Sequence, residues 1–224
     1  SDLTFELARD NWLSISIEAA TVGSYADVVL LLQSEHEDYV DLRQGYADAD
    51  PLLIYSAIAG DYQLWMTEQN SQGSKDEKYF YNVLVSAVKQ PINWNVDEIE
   101  PNDSFSEAQL VEDGDEILGG FATSGDNDFY KIVVPANKHL LTLDVEAMEY
   151  GSAANTSILL KDENQNGLPS DGYEWYYGEE PSERDPFVAW NSVGDEVLYF
   201  NIREWSSRGG RPYWYMIKVT LEDQ

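Results

Sequence analysis

Displaced by 128 positions, the chain lies on itself. Leu13–His36 falls on Leu141–Asn164 without a gap, and nine of the 24 positions carry the same residue: Leu13, Glu18, Ala19, Gly23, Ser24, Ala26, Leu31, Leu32 and Glu35. Farther along, a displacement of 134 sets Gly60-Asp61 on Gly194-Asp195, Leu64 on Leu198 and Tyr79-Phe80-Tyr81 on Tyr213-Trp214-Tyr215. The six-residue difference falls in the stretch between, where a surface loop absorbs an insertion. A period of about 130 residues is too long for a solenoid, so the chain reads as two tandem copies of one unit.

Each copy is built from strands. Apolar residues alternate in Trp12 to Ile17, Leu140 to Val145, Val197 to Ile202 and Tyr213 to Val219, the period of two that a half-buried strand requires. Asn-Gly, Gly-Asp, Ser-Gly and Gly-Gly pairs punctuate these runs as turns do. Only Asp103 to Leu110 has the composition for a helical turn or two. The fold class expected is all-β, two tandem β-sandwiches of jelly-roll type. Ile15, Ile17, Leu31, Leu64, Val83 and Val85 are the expected core of the first copy, and Leu143, Val145, Leu159, Leu198, Ile217 and Val219 that of the second.

The copies are unequal. About 33 residues, Asn95 to Asn127, precede Asp128-Phe129-Tyr130 in the second, whereas the first begins almost at the equivalent place. The first copy is therefore expected to lack its opening strands. A proline after the last strand puts the boundary near Lys89–Trp94, which makes residues 1–93 the incomplete sandwich and 94–224 the complete one.

Charge excludes several partners. With 42 acidic and 13 basic side chains the net charge is −29, which repels a phosphate backbone and offers little to displace its counterions. Nucleic acid and anionic membranes are excluded on that ground. No apolar run approaches the roughly 18 residues of a membrane span. The absence of cysteine removes disulfides, thiolate nucleophiles and zinc–sulfur sites.

The acid is concentrated. Between Asp97 and Asp128 there are 11 carboxylates and neither lysine nor arginine. Glu98-Ile99-Glu100-Pro101-Asn102-Asp103 and Ser124-Gly125-Asp126-Asn127-Asp128 frame the stretch. Carboxylates crowded together by a fold need protonation or a cation, and calcium, which takes six to eight oxygens, suits such a set; zinc would want histidine or thiolate. A solvated acidic linker is the alternative.

Glu98-Ile99-Glu100-Pro101-Asn102-Asp103-Ser104, Ala108, Gly119-Gly120, Gly125-Asp126-Asn127-Asp128-Phe129-Tyr130, Ile158-Leu159-Leu160 and Tyr215-Met216-Ile217-Lys218-Val219 together resemble the bacterial pre-peptidase C-terminal domain. The resemblance covers Asp97 to Glu222, and the first copy shares it more weakly. It implies a β-sandwich appended to secreted proteases and other exported proteins, hence a secreted, periplasmic or cell-surface bacterial location. The related collagen-binding domains of clostridial collagenases hold calcium with a Glu-x-Glu-x-Asn-Asp segment and a later Asp-containing turn. Carried over by position, the ligands implied are Glu98, Glu100, Asn102, Asp103, Asp126 and Asp128. The later turn here is one residue tighter, which bears most on Asp126.

Other signals are weaker. Asp162-Glu163-Asn164-Gln165-Asn166-Gly167 matches the first half of an EF-hand loop, but its twelfth position is Tyr173 rather than glutamate, and a plain hairpin turn fits as well. His36 and His139 stand at non-equivalent places without a catalytic context, and no nucleophile has its base. Tyr173, Trp175, Tyr176 and Tyr177 cluster in the insertion of the second copy, where they either pack over the sandwich edge or stack on a ligand. The functional expectation is a non-enzymatic accessory module, calcium-stabilised, with an extracellular protein or polysaccharide as its candidate partner. The alternative is a structural or processing segment that keeps an exported enzyme soluble.

Overall fold

The computed structural model describes residues 2–36, 40–42, 50–68, 79–89, 92–168 and 185–223. Among them the regular elements are strands and two short 3-10 turns. The first copy supplies β1 (Asp2–Leu7), β2 (Asn11–Glu18), β3 (Val28–Ser34), β4 (Val40–Leu42), β5 (Leu52–Ala57), β6 (Gly60–Glu68) and β7 (Asn82–Val88). They make two sheets, ordered β1-β6-β3-β4 and β5-β2-β7. The second supplies β8 (Val96–Asp97), β9 (Gln109–Val111), β10 (Glu116–Gly120), β11 (Asn127–Val134), β12 (Leu140–Glu146), β13 (Thr156–Lys161), β14 (Phe187–Asn191), β15 (Glu196–Glu204) and β16 (Trp214–Glu222). Its sheets run β14-β12-β16-β10-β8 and β13-β15-β11-β9. Inward apolar side chains of facing sheets meet in the core, which makes each copy a β-sandwich.

The register reproduces the repeat. Leu13, Ile15 and Ile17 of β2 lie across from Ala87, Val85 and Val83 of β7, as Leu141, Leu143 and Val145 of β12 lie across from Leu221, Val219 and Ile217 of β16. β6 and β15 are offset by two residues from the sequence match: Leu64 faces Leu32, whereas Leu160, the counterpart of Leu32, faces Phe200 rather than Leu198. A shift of two keeps the same face inward, so both versions bury their apolar set.

The repeated Gly-Ser pair has a structural cause. After each 3-10 turn, Ala20–Val22 and Met148–Tyr150, a glycine closes the turn in the left-handed region, Gly23 at φ 81° and Gly151 at φ 87°. The next serine accepts from two backbone amides. Ser24 Oγ takes Ala26 N and Phe80 N, each at 3.0 Å; Ser152 Oγ takes Ala154 N at 3.1 Å and Trp214 N at 3.2 Å. A carboxylate also caps each turn: Asp50 accepts from Ala19 N and Ala20 N, and Asp185 from Met148 N and Glu149 N.

The copies touch through β5 and β2. Ile54 N donates to Gly151 O at 2.7 Å, Trp214 Nε1 donates to Ile54 O at 2.7 Å, and the Trp12 ring meets Trp214 edge-on at 5.9 Å.

Four expected core residues are corrected. The buried leucines are Leu30 and Leu32 in β3 and Leu160 in β13, not Leu31 and Leu159, which are half-exposed. The run Val28 to Leu32 is uniformly apolar, so no alternation marks its inner face. Val83 and Val85 are only half-buried, whereas their counterparts Ile217 and Val219 are 0% and 1% exposed. The difference comes from β10, which covers the flank of β16 and has no counterpart beside β7 among the described residues. The first copy thus lacks equivalents of β8, β9 and β10 among the described residues. Within Asp103 to Leu110 the chain makes a single turn, Glu107 N donating to Ser104 O, before Gln109 and Leu110 enter β9, and no helix forms.

Candidate metal centre

β11 alternates inward as Asp128, Tyr130, Ile132 and Val134, so the pleat that buries two aliphatic side chains also buries a carboxylate. The segment after β8 is tied against it. Glu98 N donates to Leu118 O at 2.9 Å, Ile99 N to Gln109 Oε1 at 2.8 Å, and Phe129 N to Asn102 O at 2.9 Å. The two acidic motifs, about 25 residues apart in sequence, therefore share one end of the second sandwich.

There the six expected residues converge. Glu98, Glu100 and Asp128 each offer an oxygen within 4.8 Å of the others, and so do Glu100, Asp103 and Asp126, which makes Glu100 common to both groups. Asn102 lies among them. Its Nδ2 donates to Glu98 Oε1 at 3.0 Å and its backbone N to Glu100 Oε2 at 3.0 Å. Asn102 and Asp128 are both 0% exposed, and Asn102 Oδ1 and Asp128 Oδ1 have no hydrogen-bond partner among the described residues. A buried acceptor left unmatched costs about 1–3 kcal/mol. Asp126 is braced by Ala122 N at 2.6 Å, so the tighter turn still brings its carboxylate to the group.

Two tyrosine hydroxyls reach the same place. Tyr215 Oη donates to Asp128 Oδ2 at 2.5 Å and lies 2.9 Å from Glu98 Oε1; Tyr130 Oη donates to Glu98 Oε1 at 3.1 Å and lies 2.8 Å from Tyr215 Oη. Gly120 N supplies Glu98 Oε2 at 2.9 Å. The Tyr215 ring crosses β10 at Gly119, where a Cβ would stand 2.4 Å from Tyr215 Cζ, so only glycine admits the ring. In the sequence Tyr215 belongs to an alternating strand run, and its hydroxyl was not among the expected site groups. The signal was available: a tyrosine on a buried face needs a partner for its oxygen.

Burial and crowding raise the proton affinity of three of these carboxyls, Asp128, Glu100 and Asp103. Burial, then the neighbouring Glu98 charge, pushes Asp128 up to about 9, against the hydrogen bond from Tyr215. Burial raises Glu100 as well, helped by the charges of Glu98, Asp126 and Asp103. Asp103 is raised first by its hydrogen bond with Asp126. Tyr130 and Tyr215 are held far above the ordinary phenol range, mainly by burial, so both remain neutral donors. A divalent cation reverses this balance, because its charge favours every ionised carboxylate around it.

Other expected sites fall out differently. Asp162 accepts from Asn164 N, Asn166 N and Asn166 Nδ2 at 2.9, 2.8 and 2.9 Å, and Lys161 bridges Gly167. These hydrogen bonds lower its pKa. The EF-hand-like segment is thus a self-satisfied hairpin turn. Tyr173, Trp175, Tyr176 and Tyr177 lie outside the described residues. No helix among the described residues is long and apolar enough to cross a membrane.

Fold and site together define a tandem β-sandwich protein with an all-oxygen acidic cluster at one end of its second sandwich. No family model matches the sequence, and no curated protein matches it. Among solved structures the chain is similar to the pre-peptidase C-terminal domain of collagenase from Bacillus anthracis: 17% identity, 51% of this chain and 95% of that one, TM-score 0.35. It is also similar to the tandem CBM51 modules of a family 98 glycoside hydrolase from Streptococcus pneumoniae, at 10% identity over 99% of this chain and 81% of that one, TM-score 0.30. A third is the M60 catalytic domain with two CBM51 domains of ZmpB from Clostridium perfringens, at 5% identity over 99% of this chain and 33% of that one, TM-score 0.29.

Proposed function

We propose that Glu98, Glu100, Asn102, Asp103, Asp126 and Asp128 hold calcium, and that the chain is a non-catalytic accessory module of a secreted bacterial protein. The carrying observation is the pair of buried, unpartnered oxygens, Asn102 Oδ1 and Asp128 Oδ1, amid five carboxylates from two separate segments. The donors are oxygens only, which suits a hard cation of irregular coordination. Five carboxylates exceed the charge of one divalent ion, and the two groups sharing Glu100 favour two ions side by side. When bound, the metal supplies positive charge that fastens the segment after β8 to β11. The protein's own contribution is to hold the oxygens in place through Tyr130, Tyr215 and the Gly120 amide.

Residues 1–93 and 94–224 are proposed as the two units, with the metal centre immediately after their junction. The role is mechanical: a rigid, highly acidic spacer that presents a protein- or polysaccharide-binding surface outside the cell. Differential scanning calorimetry tests the metal reading. Calcium raises the melting temperature, chelator lowers it, magnesium does less because it requires a tighter octahedron, and Asp103→Ala with Asp128→Ala removes the response. Melting indifferent to calcium and chelator overturns it.

A further inference from the structure

The flank of β7 is a place where the first sandwich is unfinished. β7 ends its sheet, paired to β2 on one side and to no strand among the described residues on the other. Its equivalent, β16, is paired on both sides, by β12 and β10. The identical β2–β7 and β12–β16 registers set Val83 and Val85 of β7 where Ile217 and Val219 stand in β16, and Tyr81, the residue just before β7, falls by the same displacement where Tyr215 stands. In β16 the odd positions bond to β10. Phe121 N donates to Tyr213 O and Val219 N to Asp115 O, with Gly119 opposite Tyr215 and Ile117 opposite Ile217. The backbone groups of Tyr81, Val83 and Val85 therefore point out of the open edge.

Among the described residues the edge has none of the usual protections. Natural edge strands are blunted with charge, proline or a bulge, because an open row of amides and carbonyls templates pairing. Here Tyr79 to Val88 contains no charged residue and no proline, in a chain where a quarter of the residues are charged. Phe80 and Leu84 are 43% and 46% exposed, and Val83 and Val85 are half-covered. Trp12, across from Val88 of β7, carries on the outer face of this same sheet the contact with Trp214, so one end of β7 lies beside an existing interface.

We infer that the β7 edge of the first sandwich is an acceptor for an extended strand of a partner polypeptide, bound antiparallel by strand addition. β10 defines the chemistry of the occupant. It carries an aliphatic residue to pack over Val83, as Ile117 does over Ile217, and a glycine across from Tyr81, as Gly119 lies across from Tyr215. A second copy of β7 fits less well. Pairing Val83 with its own symmetry mate would set Val85 against Tyr81, and it would join two chains of net charge −29.

The test uses the intact protein and a synthetic heptapeptide, Asp-Glu-Ile-Leu-Gly-Gly-Phe, the sequence of Asp115 to Phe121. At high salt the labelled peptide binds, and amide exchange slows at Tyr81, Val83 and Val85 while β16 is unchanged. Val83→Pro, which removes one outward donor, weakens binding about tenfold. A peptide with valine in place of its first glycine binds wild-type protein at least tenfold more weakly, a readout that does not depend on the variant folding. No binding at millimolar peptide, slowing confined to β16, or equal binding of the valine peptide overturns the inference. Light scattering that shows a dimer lost in Val83→Pro also overturns it, making a second copy the occupant.

Discussion

The hydroxyl of Tyr215 donates to Asp128 Oδ2 across 2.5 Å, and both residues are buried. One comes from the last strand of the second sandwich and the other from the strand that follows the acidic stretch, so the contact joins its two sheets at the proposed metal centre. Tyr215→Phe keeps the ring over Gly119 and deletes only the donor. Because partners that orient metal ligands typically contribute 10–100-fold to affinity, calcium should bind this variant 10–100-fold more weakly by titration calorimetry. Unchanged affinity would reduce Tyr215 to packing.

Gly119→Ala should produce the same loss by another route, since its methyl group occupies the space of the Tyr215 ring. Large-into-tight substitutions cost about 1–3 kcal/mol. Denaturant unfolding in chelator should therefore show a stability loss that Tyr215→Phe, which adds no atoms, does not match.

Metal-free stability should depend on pH in a definite direction. Asp128 titrates near 9 in the folded chain against 3.8 as its reference. Between those values the folded state keeps a proton that the unfolded state has released, so this group's contribution to stability falls as pH rises from about 4 to about 9. In chelator, the melting temperature of wild type should drop from pH 5 to pH 8 more than that of Asp128→Asn. With calcium the proton is expelled instead, and the binding heat should vary with the ionisation enthalpy of the buffer. Parallel pH profiles for wild type and Asp128→Asn would contradict this.

Gly23 and Gly151 make a matched pair. Both adopt left-handed backbone, but a Cβ at Gly23 meets nothing within 4 Å, whereas one at Gly151 meets Ile54 Cγ1 at 2.9 Å and Ile54 N at 3.0 Å. Gly23→Ala should cost only the backbone strain, about 1 kcal/mol. Gly151→Ala should cost more and loosen the contact between the copies, splitting a single calorimetric transition into two. Equal losses would mean that the Ile54 contact carries no weight.

Much of this was legible in the sequence because repeat and alternation both report on packing. Leu13, Ile15 and Ile17 find their counterparts directly, and the Gly-Ser pairs fall on matching turns. Leu31 and Leu159 misled for a physical reason: in an unbroken apolar run nothing marks the inner face, and the shared error in both copies follows from the repeat itself. Val83 and Val85 misled because a residue's burial depends on whether a neighbouring strand exists, which their own sequence does not encode. That Glu98, Glu100, Asn102, Asp103, Asp126 and Asp128 belong together was implied by the family resemblance, and the fold does bring their two segments side by side. For the tyrosine hydroxyls the sequence signals only that an inward phenol needs some partner; that the partners are Glu98 and Asp128 emerges once the pleat puts Asp128 on the same face as Tyr130.

Calcium titration calorimetry on the intact chain tests the central claim most directly, read together with melting at 100 times Kd. Two ions per chain, a stabilisation of about 2.7 kcal/mol for each ion or about 5 kcal/mol in all, and a rise of roughly 10–20 °C, all lost in Asp103→Ala with Asp128→Ala, are the results expected. No binding heat at millimolar calcium, with melting indifferent to chelator, would make the acidic stretch a solvated linker.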